Sequence, residues 1–167
     1  LKFIDAGSYD QLSSSQQDMF DRGIAQVGSL YGGSSGQGNI DNGFTWTPSG
    51  VSSSEQWNGM VKQSDSNVGK WDCSALACYV KGSSRTDTAS MMNNATKVNW
   101  SSIDASQLST LVPVGSILVH TGHCVVVMGC IGSNLLIEES QGSNEFVRME
   151  TWSLSKVAQG GYSLLKP

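Results

Sequence analysis

Apolar and polar residues alternate differently in the two halves of the chain. Early in the chain, serines able to cap a helix precede apolar residues that recur every three or four positions, which predicts a helix from about Ser14 to Val27. The apolar run over residues 73–82, closed by Gly82, predicts a second helix. Residues 87–97, capped by Thr86 or Asp87, predict a third.

The pattern changes after residue 115. Three β-branched, apolar runs follow, "SILVH", "HCVVVMGCIG" and "NLLIEES", divided by Thr-Gly and Gly-Ser-Asn. Such runs with tight turns predict consecutive antiparallel strands, and "EFVRME" and "GYSLLK" predict two more. Helices followed by a β-meander indicate an α+β fold, with residues 1–167 as a single domain.

Residues 32–70 are rich in Gly, Ser and Asn and predict a long structured loop. A short helix is expected within it after Ser54. Loops of this length in a compact domain are usually functional. Two aromatic residues lie in the loop, Trp46 and Trp57. They either pin the loop to the core, which is the favoured interpretation, or line an open groove for a polymeric substrate.

Composition narrows the choice of partners. Only 14% of the residues are charged, and the net charge is −4 with a pI near 5.0. No run of Lys or Arg is present, which argues against nucleic acid as a partner. No apolar stretch reaches the ~18 residues of a membrane span. The abundance of uncharged polar residues suits a secreted or extracellular protein, expected here to be a monomer.

The four cysteines raise two structural alternatives. Cys73 and Cys78 cannot pair if both lie on one helix, because their side chains are then about 140° apart around its axis. A zinc site is the other alternative, since "HTGHC" brings two histidines and a cysteine close together. Neither a Cys-x-x-Cys pair nor a His-Glu-x-x-His motif is present. The prediction is therefore that no metal and no cofactor is bound.

The stretch "KWDCSALACYV" places Cys73 where polar chain turns into a predicted helix. A thiol at a helix start is stabilised as thiolate by the backbone N–H groups and the helix dipole. A buried helix cysteine is the alternative and is common. His123 begins a predicted strand, so its ring can be held rigidly as a base, and Glu138 and Glu139 on the next strand can orient it. His120 is expected to be a partly exposed turn residue.

Taken together, these segments resemble the NlpC-type family of papain-like cell-wall cysteine peptidases. "IAQVGSLYGG" resembles the family's helix ending in a Tyr before Gly-Gly, and "WDCSALACYV" its Asp-Cys-Ser-Gly nucleophile motif. "SRTDTASM" is similar to the Pro-Arg-Thr segment and "LVPVGSILVH" to the Pro-Gly-Asp-Leu-Val strand. "HCVVVMG" and "LLIEESQG" resemble the strands that carry the catalytic His and the third catalytic residue.

The chain departs from the family pattern in several places. Ala75 replaces a Gly, Ser116 replaces an Asp, and the segment between Tyr31 and Cys73 is much longer than in the family. The third residue is acidic rather than His. Alignment with the family strand favours Glu138. The related CHAP group of amidases and peptidases, which uses Glu followed two residues later by Asn, would favour Glu139 with Gln141.

The resemblance implies a papain-like domain that hydrolyses bacterial peptidoglycan. Cys73 would be the nucleophile, His123 the base and then the acid, and Glu138 the orienting residue, with Tyr31 and the Cys73 N–H as candidate oxyanion donors. The expected bond joins γ-D-Glu to a diamino acid in the stem peptide. The alternatives are a CHAP-type N-acetylmuramoyl-L-alanine amidase, a catalytically silent wall-binding domain, and a transglutaminase- or acyltransferase-like enzyme.

Overall fold

The computed structural model describes residues 9–27, 29–31, 70–141 and 147–167, which form an α+β fold around a five-stranded antiparallel sheet. Its helices are α1 (Ser14–Gln26), α2 (Cys73–Lys81), α3 (Thr88–Asn94), α4 (Leu108–Leu111) and α5 (Leu154–Gln159). The strands are β1 (Leu30–Tyr31), β2 (Lys70–Trp71), β3 (Ile117–His120), β4 (His123–Ile131), β5 (Asn134–Glu139), β6 (Arg148–Ser153) and β7 (Ser163–Leu165). Two 3-10 turns, Trp100–Ser102 and Ala105–Gln107, precede α4.

Helix α1 confirms the first predicted helix and begins with a capping box. The Ser13 hydroxyl accepts the Gln16 N–H at 3.2 Å, and the Gln16 side chain accepts the Ser13 N–H at 3.0 Å. This reciprocal pair satisfies two backbone donors that would otherwise lack a partner. The helix buries Met19 and Phe20, the two largest apolar residues of its predicted face.

Helix α2 confirms the second prediction, and its two ends are fixed by different residues. Asp72 is the N-cap and accepts the Ala75 N–H at 2.8 Å. Gly82 closes the helix in the left-handed conformation, with φ 81°, which Gly adopts without steric cost. Between these ends nearly every residue is buried, so α2 lies inside the fold and Cys73 is its first residue.

Helix α3 is shorter than predicted, ending at Asn94 rather than near residue 97. Asp87 caps it, accepting the Ser90 N–H at 2.7 Å. The helix stops because Thr96 forms a bridge with Leu164, with both backbone N–H···O distances at 2.8 Å. Pairing with the last strand thus competes with the helical hydrogen bonds and prevails.

The sheet has the strand order β6-β5-β4-β3-β7. Strands β3 to β6 form the predicted meander, and Thr121–Gly122 makes the tight turn between β3 and β4, with Gly122 at φ 90°. The expectation that the last strand extends the meander is wrong. Helix α5, which was not predicted, returns the chain across the sheet so that β7 pairs with β3.

The sheet is covered on both faces, and this arrangement positions the site. One face packs against α1 and α2 through Val126, Met128 and Leu136. The opposite face packs against α4, α5 and the 3-10 turns through Val125, Val127 and Ile137. Residues one apart on β4 or β5 therefore lie in different cores.

Several sequence predictions lie outside the described residues. These are the long loop, its short helix after Ser54, and the roles of Trp46 and Trp57. Within the described ranges, no helix is long and apolar enough to cross a membrane.

Candidate active site

Cys73 is the first residue of α2, so its thiol lies at the positive end of the helix dipole. Asp72 holds this turn in place, because its carboxylate accepts the Ala75 N–H at 2.8 Å and the Ser74 hydroxyl at 3.2 Å. Arg85 pairs with the same carboxylate at 3.2 Å. The position is that of a half-buried thiol at a fixed helix start, as the sequence predicted.

The surroundings of Cys73 stabilise its thiolate. A hydrogen bond from the Cys124 thiol is the largest cause, and the His123 ring and the Cys124 backbone N–H add to it. Burial acts in the opposite direction but is outweighed, so that the pKa of Cys73 falls to about 4. Cys124 remains the protonated donor, because this hydrogen bond and burial raise its own pKa well above the usual value.

His123 connects the thiol to a carboxylate. Its Nε2 lies 3.0 Å from Oε2 of Glu139, which leaves the other ring nitrogen for Cys73. Burial disfavours the charged ring, but the hydrogen bonds to Cys73 and Glu139 outweigh it and raise the pKa of His123 to about 9. With Cys73 near 4 and His123 near 9, a thiolate–imidazolium pair is the stable form across neutral pH.

Glu139 is held in turn by Arg148 on the neighbouring strand β6. The Arg148 guanidinium lies 3.3 Å from the second carboxylate oxygen, and it also bonds Gln141. Burial raises the pKa of Glu139, yet the hydrogen bonds and the positive charges of His123 and Arg148 prevail and lower it to about 2. Glu139, only 4% exposed, is thus an anion throughout the neutral range.

The predicted contact between Glu138 and His123 is wrong, because Glu139 makes it. The side chain of Glu138 is fully buried on the opposite face of the sheet, against Met128 and Gly23. A Cβ atom at Gly23 would collide with the side chains of Met128 and Glu138. Within the described part of the chain, neither Glu138 oxygen has a hydrogen-bond partner, and burial raises the pKa of this carboxyl well above the ordinary value.

The reason for this error is the burial of β5 on both faces. Leu135, Leu136 and Ile137 are all fully buried, so no hydrophobic alternation marks which face meets His123. The principle that only one of two successive acids can reach the ring is confirmed. The signal that favoured Glu139 was the Glu-x-Gln spacing from Glu139 to Gln141.

The other candidate residues lie around this arrangement. His120 is a partly exposed residue at the turn, as predicted, with its ring centre 6.0 Å from that of His123 and 4.6 Å from that of Tyr162. Cys78 is buried further along α2, where its sulfur accepts the Thr86 N–H at 3.4 Å. All four cysteines are free thiols. Among the described residues no group of three or more His, Cys, Asp or Glu side chains is arranged to hold a metal.

Tyr31 lies on β1, which pairs in parallel with β2 so that Tyr31 is opposite Trp71. Trp71 is two residues before Cys73. The backbone of Tyr31 therefore runs beside the segment leading to the nucleophile, and its role as an oxyanion donor stays a prediction.

A cleft of about 640 Å³ opens on the His123 side of the site. Charged and aromatic side chains share its wall: His120, His123, Glu139, Arg148, Glu150, Trp152, Lys156 and Tyr162. Burial, together with the hydrogen bond to Glu139, raises the pKa of Glu150 to about 7. The cleft is open and polar, and His123 and Glu139 lie in its wall whereas Cys73 does not.

Sequence reasoning missed two residues that act on the proposed triad. Cys124 gave no signal beyond its place next to His123, since a thiol in an apolar strand is typical of a core position. Arg148 belongs to a strand that was predicted, "EFVRME", but nothing in that strand indicated its contact with Glu139.

Comparisons of the chain with models of protein families, with curated proteins and with solved structures found no match.

Proposed function

We propose that the chain is a papain-like cysteine hydrolase that cleaves amide bonds of bacterial peptidoglycan. The observation that carries the proposal is the spatial arrangement of Cys73, His123 and Glu139, in which Nε2 of His123 lies 3.0 Å from Oε2 of Glu139. A thiolate, a charged imidazole and an orienting carboxylate form the set that nucleophilic catalysis by cysteine requires. The peptidoglycan substrate is supported by the ordered resemblance to the NlpC-type family.

In the acylation step the Cys73 thiolate attacks the carbonyl carbon of the scissile amide. The carbonyl oxygen takes the negative charge, and the backbone N–H of Cys73, the first residue of α2, is the proposed donor to it. When the tetrahedral intermediate collapses, the imidazolium of His123 gives its proton to the leaving nitrogen. The C–N bond breaks, an amine departs, and a thioester to Cys73 remains.

Deacylation reverses the role of His123. The neutral ring takes a proton from water, which attacks the thioester carbonyl and releases the carboxylic acid. The sulfur leaves as thiolate and the ring is again charged, so the starting pair is restored. Glu139 keeps its charge throughout and favours the imidazolium, because it accepts the N–H of the second ring nitrogen.

The scissile bond has two candidates. Resemblance to the NlpC-type family favours the bond between γ-D-Glu and a diamino acid. The contact of His123 with Glu139, and the Gln two residues later, favour instead the CHAP pattern and an N-acetylmuramoyl-L-alanine amidase. The two products differ in the new amino terminus, which is the diamino acid in one case and L-Ala in the other.

The test is digestion of purified sacculi, with the released fragments identified by mass spectrometry. Wild-type protein is expected to release fragments with one defined new amino terminus, and Cys73→Ala none. Cys78→Ala is the matched control, since it removes a thiol from the same helix away from His123, and it should release the same fragments as wild type. A silent Cys78→Ala with an active Cys73→Ala would refute the assignment of the nucleophile.

The same preparations separate the rival classes. A silent wall-binding domain would sediment with sacculi but release nothing. A transglutaminase- or acyltransferase-like enzyme would form amides with an added primary amine in place of free acids. The proposed hydrolase forms the acid even when the amine is present.

A further inference from the structure

One hydrogen bond joins the segment of the nucleophile to the segment of the orienting acid. Ser140 directly follows Glu139, and Trp71 precedes Asp72 and Cys73. The Ser140 hydroxyl donates to the Trp71 carbonyl at 2.6 Å, at the short end of the range for O–H···O bonds. Both residues are buried, so this bond is shielded from water.

Trp71 is itself fixed on two other sides. Its indole N–H donates to the Gln26 side-chain oxygen at 2.7 Å, and its ring stacks on Tyr79 with centres 4.8 Å apart. The Gln26 oxygen also accepts the Ser29 hydroxyl at 3.1 Å. The approach to Cys73 is thereby held by α1 and α2, and Ser140 adds the connection to the sheet.

The end of β5 therefore holds both halves of the site through adjacent residues. Glu139 faces His123 on one side of the sheet, and Ser140 faces Trp71 on the other. Since Trp71 is only two residues from Cys73, a shift of the β5 end relative to α2 changes the separation of the thiol and the imidazole. Misplacement of reacting groups by about 1 Å can lower rates by up to ~100-fold.

We propose that Ser140 is a positioning residue that sets the distance between Cys73 and His123 by tying the Trp71 carbonyl to the end of β5. This rests on the proposed function, because the positioned groups are those of the hydrolase. Ser140 does not touch the substrate. It acts through the backbone on both sides of the reacting pair.

The experiment compares Ser140→Ala with Ser116→Ala. Both serines are buried at the same sheet, but among the described residues the Ser116 hydroxyl has no hydrogen-bond partner. Both variants thus remove one hydroxyl group, but only Ser140→Ala removes the hydrogen bond to the Trp71 carbonyl. The readouts are the rate of Cys73 alkylation by iodoacetamide against pH, located by peptide mass spectrometry, and kcat and KM on soluble peptidoglycan fragments.

Ser140→Ala is expected to raise the pH at which Cys73 begins to react, because its thiolate loses close contact with the imidazolium. It should lower kcat about tenfold with KM little changed, while Ser116→Ala matches wild type in both readouts. Equal alkylation profiles for Ser140→Ala and wild type would overturn the inference.

A second pair of variants guards against simple misfolding. Ser140→Thr and Ser140→Val have nearly the same shape and differ in the hydroxyl. Ser140→Thr should keep the wild-type alkylation profile, whereas Ser140→Val should begin to react at higher pH. Identical profiles for these two variants would also overturn the inference. If Cys73 of the wild-type protein reacts only at alkaline pH, like a free thiol, the proposed function fails instead of the role of Ser140.

Discussion

Glu138 and Glu139 are neighbours in the chain, yet the two faces of the sheet give them opposite chemistry. Glu139 meets His123 and Arg148, and these partners keep it ionised with a pKa of about 2. Glu138 lies in the apolar core beside α1, and burial raises its pKa well above the ordinary value. Two identical carboxyl groups one residue apart thus have pKa values that are shifted in opposite directions.

The comparison teaches that the face of the sheet on which an acidic residue lies determines the direction of its pKa shift. The face of Glu139 offers a cation for each carboxylate oxygen, at 3.0 Å and 3.3 Å. The face of Glu138 offers Met128 and the backbone of Gly23. Only the first environment can stabilise an imidazolium, because only there is the negative charge retained.

The largest effect is expected at His123, the proposed base, because Glu139 acts only through its contact with this ring. His123→Ala should lower turnover by about 10³-fold or more, since His123 is the base that contacts Cys73 among the residues that the structure describes. The measurement is the rate of fragment release from sacculi at neutral pH.

His120→Ala is the matched control and should keep most of the activity. His120 is partly exposed, and its Nδ1 lies 2.9 Å from the Thr121 carbonyl oxygen rather than near the thiol. Comparable losses for both variants would indicate a shared histidine pair or a metal site, and a chelator should then inhibit as well.

The next effect separates the two carboxylates in kinetics. Glu139→Gln keeps the shape of the side chain and removes its charge, so we expect turnover to fall about 10- to 100-fold. It should also lower the pKa of His123 from about 9, because the ring loses its anionic partner. The high-pH limb of the profile, where the imidazolium loses its proton, then moves to lower pH.

The measurement is a pH–rate profile of Cys73 alkylation and of hydrolysis. In wild type both rates should rise as Cys73 ionises near pH 4, and hydrolysis alone should fall as His123 deprotonates near pH 9, because the leaving nitrogen then lacks its proton donor. Glu138→Gln should leave the high-pH limb where it is. The reverse result would return the role to Glu138 and contradict the observed contact.

The limits of prediction from the sequence follow the same two faces. The helix start at Cys73 and the strands at His123 and Glu139 were predictable, because Asp72 is a strong cap and the Thr-Gly turn marks the hairpin. The choice between Glu138 and Glu139 could not be predicted, since β5 is buried on both faces. The contact with Arg148 depends on the pairing register of β5 with β6, which the pattern of either strand alone does not fix.

The smallest effect concerns stability and gives the two acids opposite signs. Burial raises the pKa of Glu138, so the folded chain keeps this proton to higher pH than the unfolded chain, which ionises near the ordinary pKa of about 4.3. As the pH rises above that value the unfolded chain releases a proton that the folded chain keeps, so this group lowers the free energy of unfolding. The loss is at most about 1.4 kcal/mol per pH unit and ends at the folded pKa.

Glu138→Gln should remove this slope, so the variant gains stability relative to wild type between pH 5 and 7. Glu139→Gln should instead be less stable than wild type at neutral pH, and this difference should shrink as the pH falls below about 4. The lowered pKa of Glu139 contributes stability above its ordinary value that is lost as the pH falls towards about 2. Urea unfolding of the three proteins at several pH values measures both trends. If wild type and Glu138→Gln change in parallel from pH 5 to 7, Glu138 is not a neutral acid, and the contrast between the two faces is lost.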